Sequence, residues 1–422
     1  MCLNMRLASL PLHYPLSLLG DWQVFMIQLT SPIAVVLFAA IMALAPLASV
    51  IYMPAFPAMA RAFDVGADQV QLTLSTYMVG MAVAQPVYGP LADRFGRKPL
   101  IVTGIVLFIL ASIGCMLATD IDTIIVFRFI QAFGAASGLV LAQAMIRDTY
   151  KPIDAARMLA YAGGVQAIAP AAGSVLGGII LTQLGWRAIF AFLVAAALVV
   201  IFLVVTGLPE TLRHDKRQSL NVRTILKNYR HALGSRMFLS HALALGLMMG
   251  GFYAFMAGSP FILIDLLGIP ESAFGWYYLL IVVGFIFGSF LAARIGRRFG
   301  SHTLIVTGGT ALVLGGGAMV MFELIDVHSV AAVLGPQILY SFGGGVMMAQ
   351  LIAGALMPFP GMAGTAAASL GLIQMSCAAS ASALVGYIYN GTALPMATTI
   401  ALAGTGALAL YLVTRRSNHA ST

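Results

Sequence analysis

The chain has 422 residues, of which 60% are hydrophobic and only 9% charged, against roughly 45–50% and about 25% in soluble domains. A water-soluble fold has nowhere to hide that much apolar surface, so the composition excludes a soluble enzyme or soluble binding module. The net charge of +8 is spread over short loops between apolar runs, which fits orientation in a bilayer and not nucleic-acid binding.

Residues 1–32 hold Pro11, Pro15 and Asp21 beside a weak apolar patch. They read as an N-terminal extension: a tail, an interfacial segment, or a start assigned upstream of Met26. A barely basic beginning followed by a full-length apolar run argues against a cleaved signal peptide. Runs near the 20 residues a spanning helix needs then fall at 33–53, 70–91, 100–118, 123–145, 158–182 and 188–208. A polar stretch, 209–236, follows; it carries Arg213, Lys216, Arg217, Arg223, Lys227, Arg230 and Arg236. A second set of runs lies at 237–264, 273–293, 304–322, 330–350, 363–389 and 395–413, leaving a tail at 414–422. The expectation is an all-α integral membrane protein of twelve transmembrane helices in two pseudo-symmetric six-helix halves, 33–208 and 237–413, joined by a cytoplasmic linker.

Of the 22 lysines and arginines, only Arg61 and Arg187 fall in loops on one side and only Arg128 falls inside a run. The rest gather on the side of the linker and both termini, which the positive-inside rule makes cytoplasmic. Cys2, Cys115 and Cys377 are far apart and show no metal-ligand spacing, so neither a metal nor any other cofactor is expected. There is no G-x-x-x-x-G-K-[ST] loop to bind ATP, and no nucleophile–base cluster in the runs to suggest an enzyme.

The most specific stretch is GPLADRFGRK, between the second and third runs, with Gly89, Asp93, Arg94, Gly96, Arg97 and Lys98 in register. A partial copy, Arg294-Ile-Gly296-Arg297-Arg298, recurs 200 residues later with Ala293 in place of Asp93. Further segments are Ile51-Tyr-Met-Pro54-Ala-Phe-Pro57, Gln71-Leu-Thr-Leu-Ser75, Gly185-Trp186-Arg187 and Pro358-Phe-Pro360 followed by Ala363-Gly364-Thr365-Ala366. Together these resemble the major facilitator superfamily, and within it the twelve-span drug:proton antiporters of the Bcr/CflA multidrug efflux group. The likeness covers about residues 33–413.

The resemblance implies that the Gly89–Lys98 turn gates the cytoplasmic side, with Asp93 set against a neighbouring helix N-terminus and paired with an arginine. The simpler alternative is that Arg94, Arg97 and Lys98 only hold the loop inside. In the fifth run Ala169, Pro170, Gly173, Gly177 and Gly178 resemble the antiporter motif. Small residues at four-residue spacing permit close helix approach, and Gly284, Gly288 and Ala292 in the eighth run form a matching ridge, so these two helices are expected to pack together. Arg128, followed by Gln131, Ala132 and Gly134, resembles the motif tied to proton coupling. Its alternative is snorkelling toward the outer surface.

One departure stands out. The family pattern places an aspartate two residues before Tyr52, and here that residue is Val50. All 14 acidic residues lie in loops or near helix ends, leaving Asp148, Asp265 and His241 as weak substitutes for a proton carrier. Tyr52, Tyr77, Gln131, Gln166, Tyr253, Gln337 and Gln374 are the candidates for lining a central cavity suited to a lipophilic, weakly polar compound. The chain therefore reads as a monomeric multidrug exporter of the bacterial inner membrane, exchanging a drug-like small molecule for protons. The alternative is a proton-independent facilitator or importer of a neutral metabolite.

Overall fold

A computed structural model describes residues 32–212 and 222–420. The N-terminal extension and the linker residues Arg213, Lys216 and Arg217 lie outside the described residues. The described chain is helical throughout, with no strand. In order it forms α1 (Pro32–Val50), a short 3-10 turn (Met53–Ala55), α2 (Phe56–Phe63), α3 (Ala67–Phe95), α4 (Arg97–Leu117), α5 (Ile121–Thr149), α6 (Pro152–Leu184) and α7 (Trp186–Gly207). After the linker come α8 (Val222–Gly234), α9 (Arg236–Pro260), a π-helical turn (Phe261–Leu266), α10 (Glu271–Leu324), α11 (Val330–Leu356), α12 (Ala363–Tyr387) and α13 (Leu394–Ala420).

In apolar surroundings a segment must satisfy its own backbone polar groups, which makes long apolar runs helical. Capping side chains start several of them. Asp120 accepts the Thr123 N–H at 2.7 Å to begin α5, while Ser235 and Ser329 cap α9 and α11 in the same way. Eleven helical segments among the described residues are long and apolar enough to cross a membrane. The 29 residues of α3 are long enough, but that helix is too polar to count with them, because it buries Gln71, Thr73, Ser75 and Tyr77 in its first half. It is a central helix all the same, packed against α5 on one side and α12 on the other.

Two turns set the directions of the bundle. Gly96 separates α3 from α4 with φ 102°, and Gly300 breaks α10 into two arms with φ 75°, backbone that favours glycine. The sequence copy placed the second turn at Gly296; the structure places it four residues later. The true correspondence is Arg94-Phe95-Gly96 with Arg298-Phe299-Gly300, 204 residues on, and each arginine lies over the ring that follows it, at 5.3 and 5.5 Å. Arg297 then stands where Asp93 does, and Ser301 where Arg97 does.

The expected packing of the two small-residue ridges is also corrected. Helices α6 and α10 do pack together, but Gly173 and Gly177 face Leu47 and Ile51 at the end of α1, and Gly284 and Gly288 face Ile338 and Phe342 of α11. The contact between α6 and α10 includes Gly178, against the backbone of Glu271 and Ser272, and Gly275, against the backbone of Ser174 and Val175. Apart from Gly173, which meets the Leu47 side chain, these glycines face backbone, which is why a generic close-approach pattern does not name its partner. Pro170 lies inside α6.

Candidate functional site

Three groups of polar side chains are strung along the bundle. At the end bearing the α3–α4 turn, Arg97 is the hub. Its Nη2 pairs with Asp93 Oδ1 at 2.8 Å, across the Gly96 turn at the end of α3, and its Nε with Asp148 Oδ2 at 3.1 Å, at the end of α5. The Arg97 side chain is only 11% exposed, so these pairs are partly shielded from solvent. The N-terminus of α4 is taken by Glu210, whose two carboxylate oxygens accept the Arg97 and Lys98 N–H groups at 3.1 Å each. Asp93 thus has its arginine, and the N-terminus of α4 is held by a second acid, Glu210. Glu210 went unread in the sequence; an acid immediately after the apolar run, in Leu208-Pro209-Glu210, was its signal. The second turn holds a neutral equivalent of the Arg97–Asp148 pair, with Ser301 Oγ donating to Gln350 Oε1 at 2.9 Å.

Beside this hub lies a cavity of about 1060 Å³ between α3, α5, α8, α11 and α12. Gly89, Asp93, Arg97 and Gln374 line it, as do Gln85, Gln143, Arg147, Asn228 and Tyr229, which the sequence reading did not select. Amides, aliphatic groups and a few charges share the walls.

The second group sits deeper in the bundle, beside the end of α1, ten residues into α3 and seven into α5. Arg128 is fully buried about 10 Å from the start of α5, at 1.5 Å per residue. Its guanidinium is sandwiched between the rings of Tyr52 and Tyr77, 4.1 Å from each centroid. Nη1 donates to the Ala48 carbonyl at 3.1 Å and to Gln131 Oε1. Ala48 lies in the last turn of α1, where carbonyls lack an intrahelical donor. Gln131 Nε2 passes the chain on to Ser112 Oγ at 2.7 Å, and Ser112 to the Phe108 carbonyl. The Tyr52 hydroxyl meets Thr73 Oγ1 at 3.1 Å, and Tyr77 donates to the Ala45 carbonyl at 2.8 Å. Snorkelling is ruled out, since the side chain is held inside by aromatic faces. No carboxylate pairs with Arg128 among the described residues, and its Nε and Nη2 find no acceptor there. Val50 is buried beside this assembly, on α1.

Three of the seven expected cavity residues, Tyr52, Tyr77 and Gln131, are therefore gathered around Arg128. Tyr253 is half-buried on α9. Gln337 is buried on α11 with both amide atoms unpaired. The side chain of Gln166 lies outside the described residues.

The third group closes the opposite end. Arg61, on α2, reaches Asp265 in the π-helical turn at 3.2 Å and Glu271 at the start of α10 at 2.9 Å. This clamp ties segments before the linker to segments after it. With Arg61 61% exposed, it adds little stability.

A bundle of long apolar helices with a buried cation and a large cavity at one end is the architecture of a multi-pass membrane protein, and the family it falls in is one of transporters. The chain belongs to the Major Facilitator Superfamily, whose family pattern matches residues 38–384. A bicyclomycin resistance protein homolog of Haemophilus influenzae is 29% identical over 87% of this chain and 92% of its own. Multidrug resistance protein D of Escherichia coli is 29% identical over 79% and 83%. These relatives bear out the resemblance to the Bcr/CflA group. Among solved structures, a D-xylose–proton symporter superposes with a TM-score of 0.72 over 91% of this chain and 97% of its own, at 14% identity, which speaks for the fold alone.

Proposed function

We propose that this protein exports small lipophilic compounds across the bacterial inner membrane by alternating access between its two six-helix halves, in exchange for protons, and does so as a monomer. The observation that carries the reading is the pairing of an amide-rich cavity at one end with a clamp across the other. With the linker and termini cytoplasmic, that is an inward-facing state. On this reading α3 is the twelfth span; its polar residues face protein and so need not meet lipid. The names of the relatives, bicyclomycin and multidrug resistance proteins, support a drug-like cargo.

In this scheme the Asp93–Arg97–Asp148 cluster is the cytoplasmic gate, and Arg128 with Asp148 serves coupling. Asp93→Asn keeps the shape and removes one of the charges on Arg97. It is expected to cut dye export at least five-fold at normal membrane abundance, whereas unchanged export would reduce the turn to a topology signal. Because no acid faces Arg128 among the described residues, a second reading, a proton-independent facilitator, has one specific feature in its favour. The two separate in everted membrane vesicles carrying a pH gradient. Amphipathic antibiotics and dyes are expected to discharge the gradient only when the protein is present. Movement of labelled compound with no proton signal would select the facilitator, and no movement of any compound would remove the drug assignment.

A further inference from the structure

Pro90 lies inside α3 and has no N–H, so the carbonyl four residues earlier, that of Pro86, loses its intrahelical donor. The hydroxyl of Tyr229 on α8 donates to that same carbonyl at 3.2 Å. Tyr229 thus supplies from another helix the hydrogen bond that proline removed. Burial pushes its phenol up to about 12, so the hydroxyl keeps its proton and remains a donor throughout the physiological range.

The helix that carries Tyr229 is amphipathic. Val222, Ile225, Leu226, Tyr229 and Leu233 recur at helical spacing, with Arg223, Lys227 and Arg230 between them. Ile225, Asn228 and Tyr229 line the cavity. Elsewhere α8 packs on α9 and α12, and the His231 ring stands edge-on to Phe359 at 5.7 Å. All those partners come after the linker in the chain, whereas Pro86 comes before it. The Tyr229 bond therefore ties α8 across the cavity to a helix that precedes the linker.

We propose that Tyr229 is a positioning residue for transport: by completing the α3 backbone at the gap made by Pro90, it docks the linker helix as a wall across the cavity mouth and sets how freely compounds pass. The proposal rests on the transport reading only for what passes; the docking is independent of it. A single hydrogen bond suits such a wall, since it can be broken and remade without unpacking a helix.

The test is the maleimide labelling rate of a single cysteine introduced as Gln374→Cys, with the native cysteines replaced by serine, in full-length detergent-solubilised protein where both faces are accessible. Tyr229→Phe keeps the ring and loses the bond, and is expected to raise the labelling rate about five-fold. Pro90→Ala returns an N–H to α3 and satisfies Pro86 from within, so in that background Tyr229→Phe should change the rate less than two-fold. Unchanged labelling with Pro90 present, or an equal increase in both backgrounds, would overturn the proposal. Dye export by the same four proteins should follow the same pattern, with KM shifting more than the maximal rate.

Discussion

Arg128→Met is expected to lower export about 100-fold, equivalent to about 2.7 kcal/mol, while the melting temperature in detergent stays near that of the parent. The two effects separate because the guanidinium is poorly compensated. It gains two aromatic faces and two acceptors, but leaves Nε and Nη2 without partners, each such group costing about 1–3 kcal/mol. Methionine fills similar volume and relieves both that cost and the penalty of several kcal/mol for burying an ion. Against this stand the lost cation–π attraction of about 2 kcal/mol per desolvated ring and two acceptors, on Ala48 and Gln131, left without their donor, so gains and losses are of similar size. Removing the cation strands no acid, unlike the breaking of an ordinary buried pair. Arg128→Lys should also fail in export, because an ammonium cannot lie flat between two rings while reaching Ala48 and Gln131. A parallel loss of stability and export would instead make Arg128 a packing residue.

Opposite signs are expected for two glycine substitutions on one helix. A Cβ at Gly177 would run into the Ile51 carbonyl, with the carbonyl carbon only 2.8 Å away. Backbone cannot swing aside as a side chain can, so Gly177→Ala should destabilise by about 1–3 kcal/mol or more. At Gly164 an added Cβ meets nothing within 4 Å, and Gly164→Ala should gain up to about 1 kcal/mol of helix propensity. Thermal melting of the two purified variants checks the contrast. Equal shifts would show that α6 does not rest on the end of α1 as described.

The helical spans were legible because length and apolarity alone demand them. Helix α3 was read in the same way, as an apolar run at 70–91 ended by the charged turn, although its buried polar residues keep it from counting with the other spans by hydropathy. The second turn was placed at Gly296 because Arg-x-Gly-Arg-Arg imitates the first motif in letters. The left-handed backbone instead falls at Gly300, and Arg298-Phe299-Gly300 carried that information. Small-residue ridges at Gly173, Gly177, Gly284 and Gly288 signalled close approach correctly, and α6 does meet α10 as expected, but the ridges themselves face α1 and α11. Spacing along one helix holds no record of which neighbour it meets. Likewise Tyr52, Tyr77 and Gln131 were sound choices as buried polar groups, but only the fold shows them spent on Arg128. Helix α8 was hidden by its charge: residues 209–236 read as a polar linker, although the apolar positions of 222–233 already follow a helical period.

The contact between α6 and α10 lies near one extremity of both helices. Gly178 sits six residues from the last residue of α6, and Ser272 and Gly275 sit in the first turns of α10. At Gly178 and Gly275 backbone meets backbone, with no side chain of the glycine to disengage. The 26 residues of α6 that precede Gly178 extend about 39 Å to the other end. A rotation of about 10° about such a fulcrum carries that end through about 7 Å. Lever geometry thus lets a few degrees of rocking open a passage wide enough for a small organic molecule, while the fulcrum itself hardly moves.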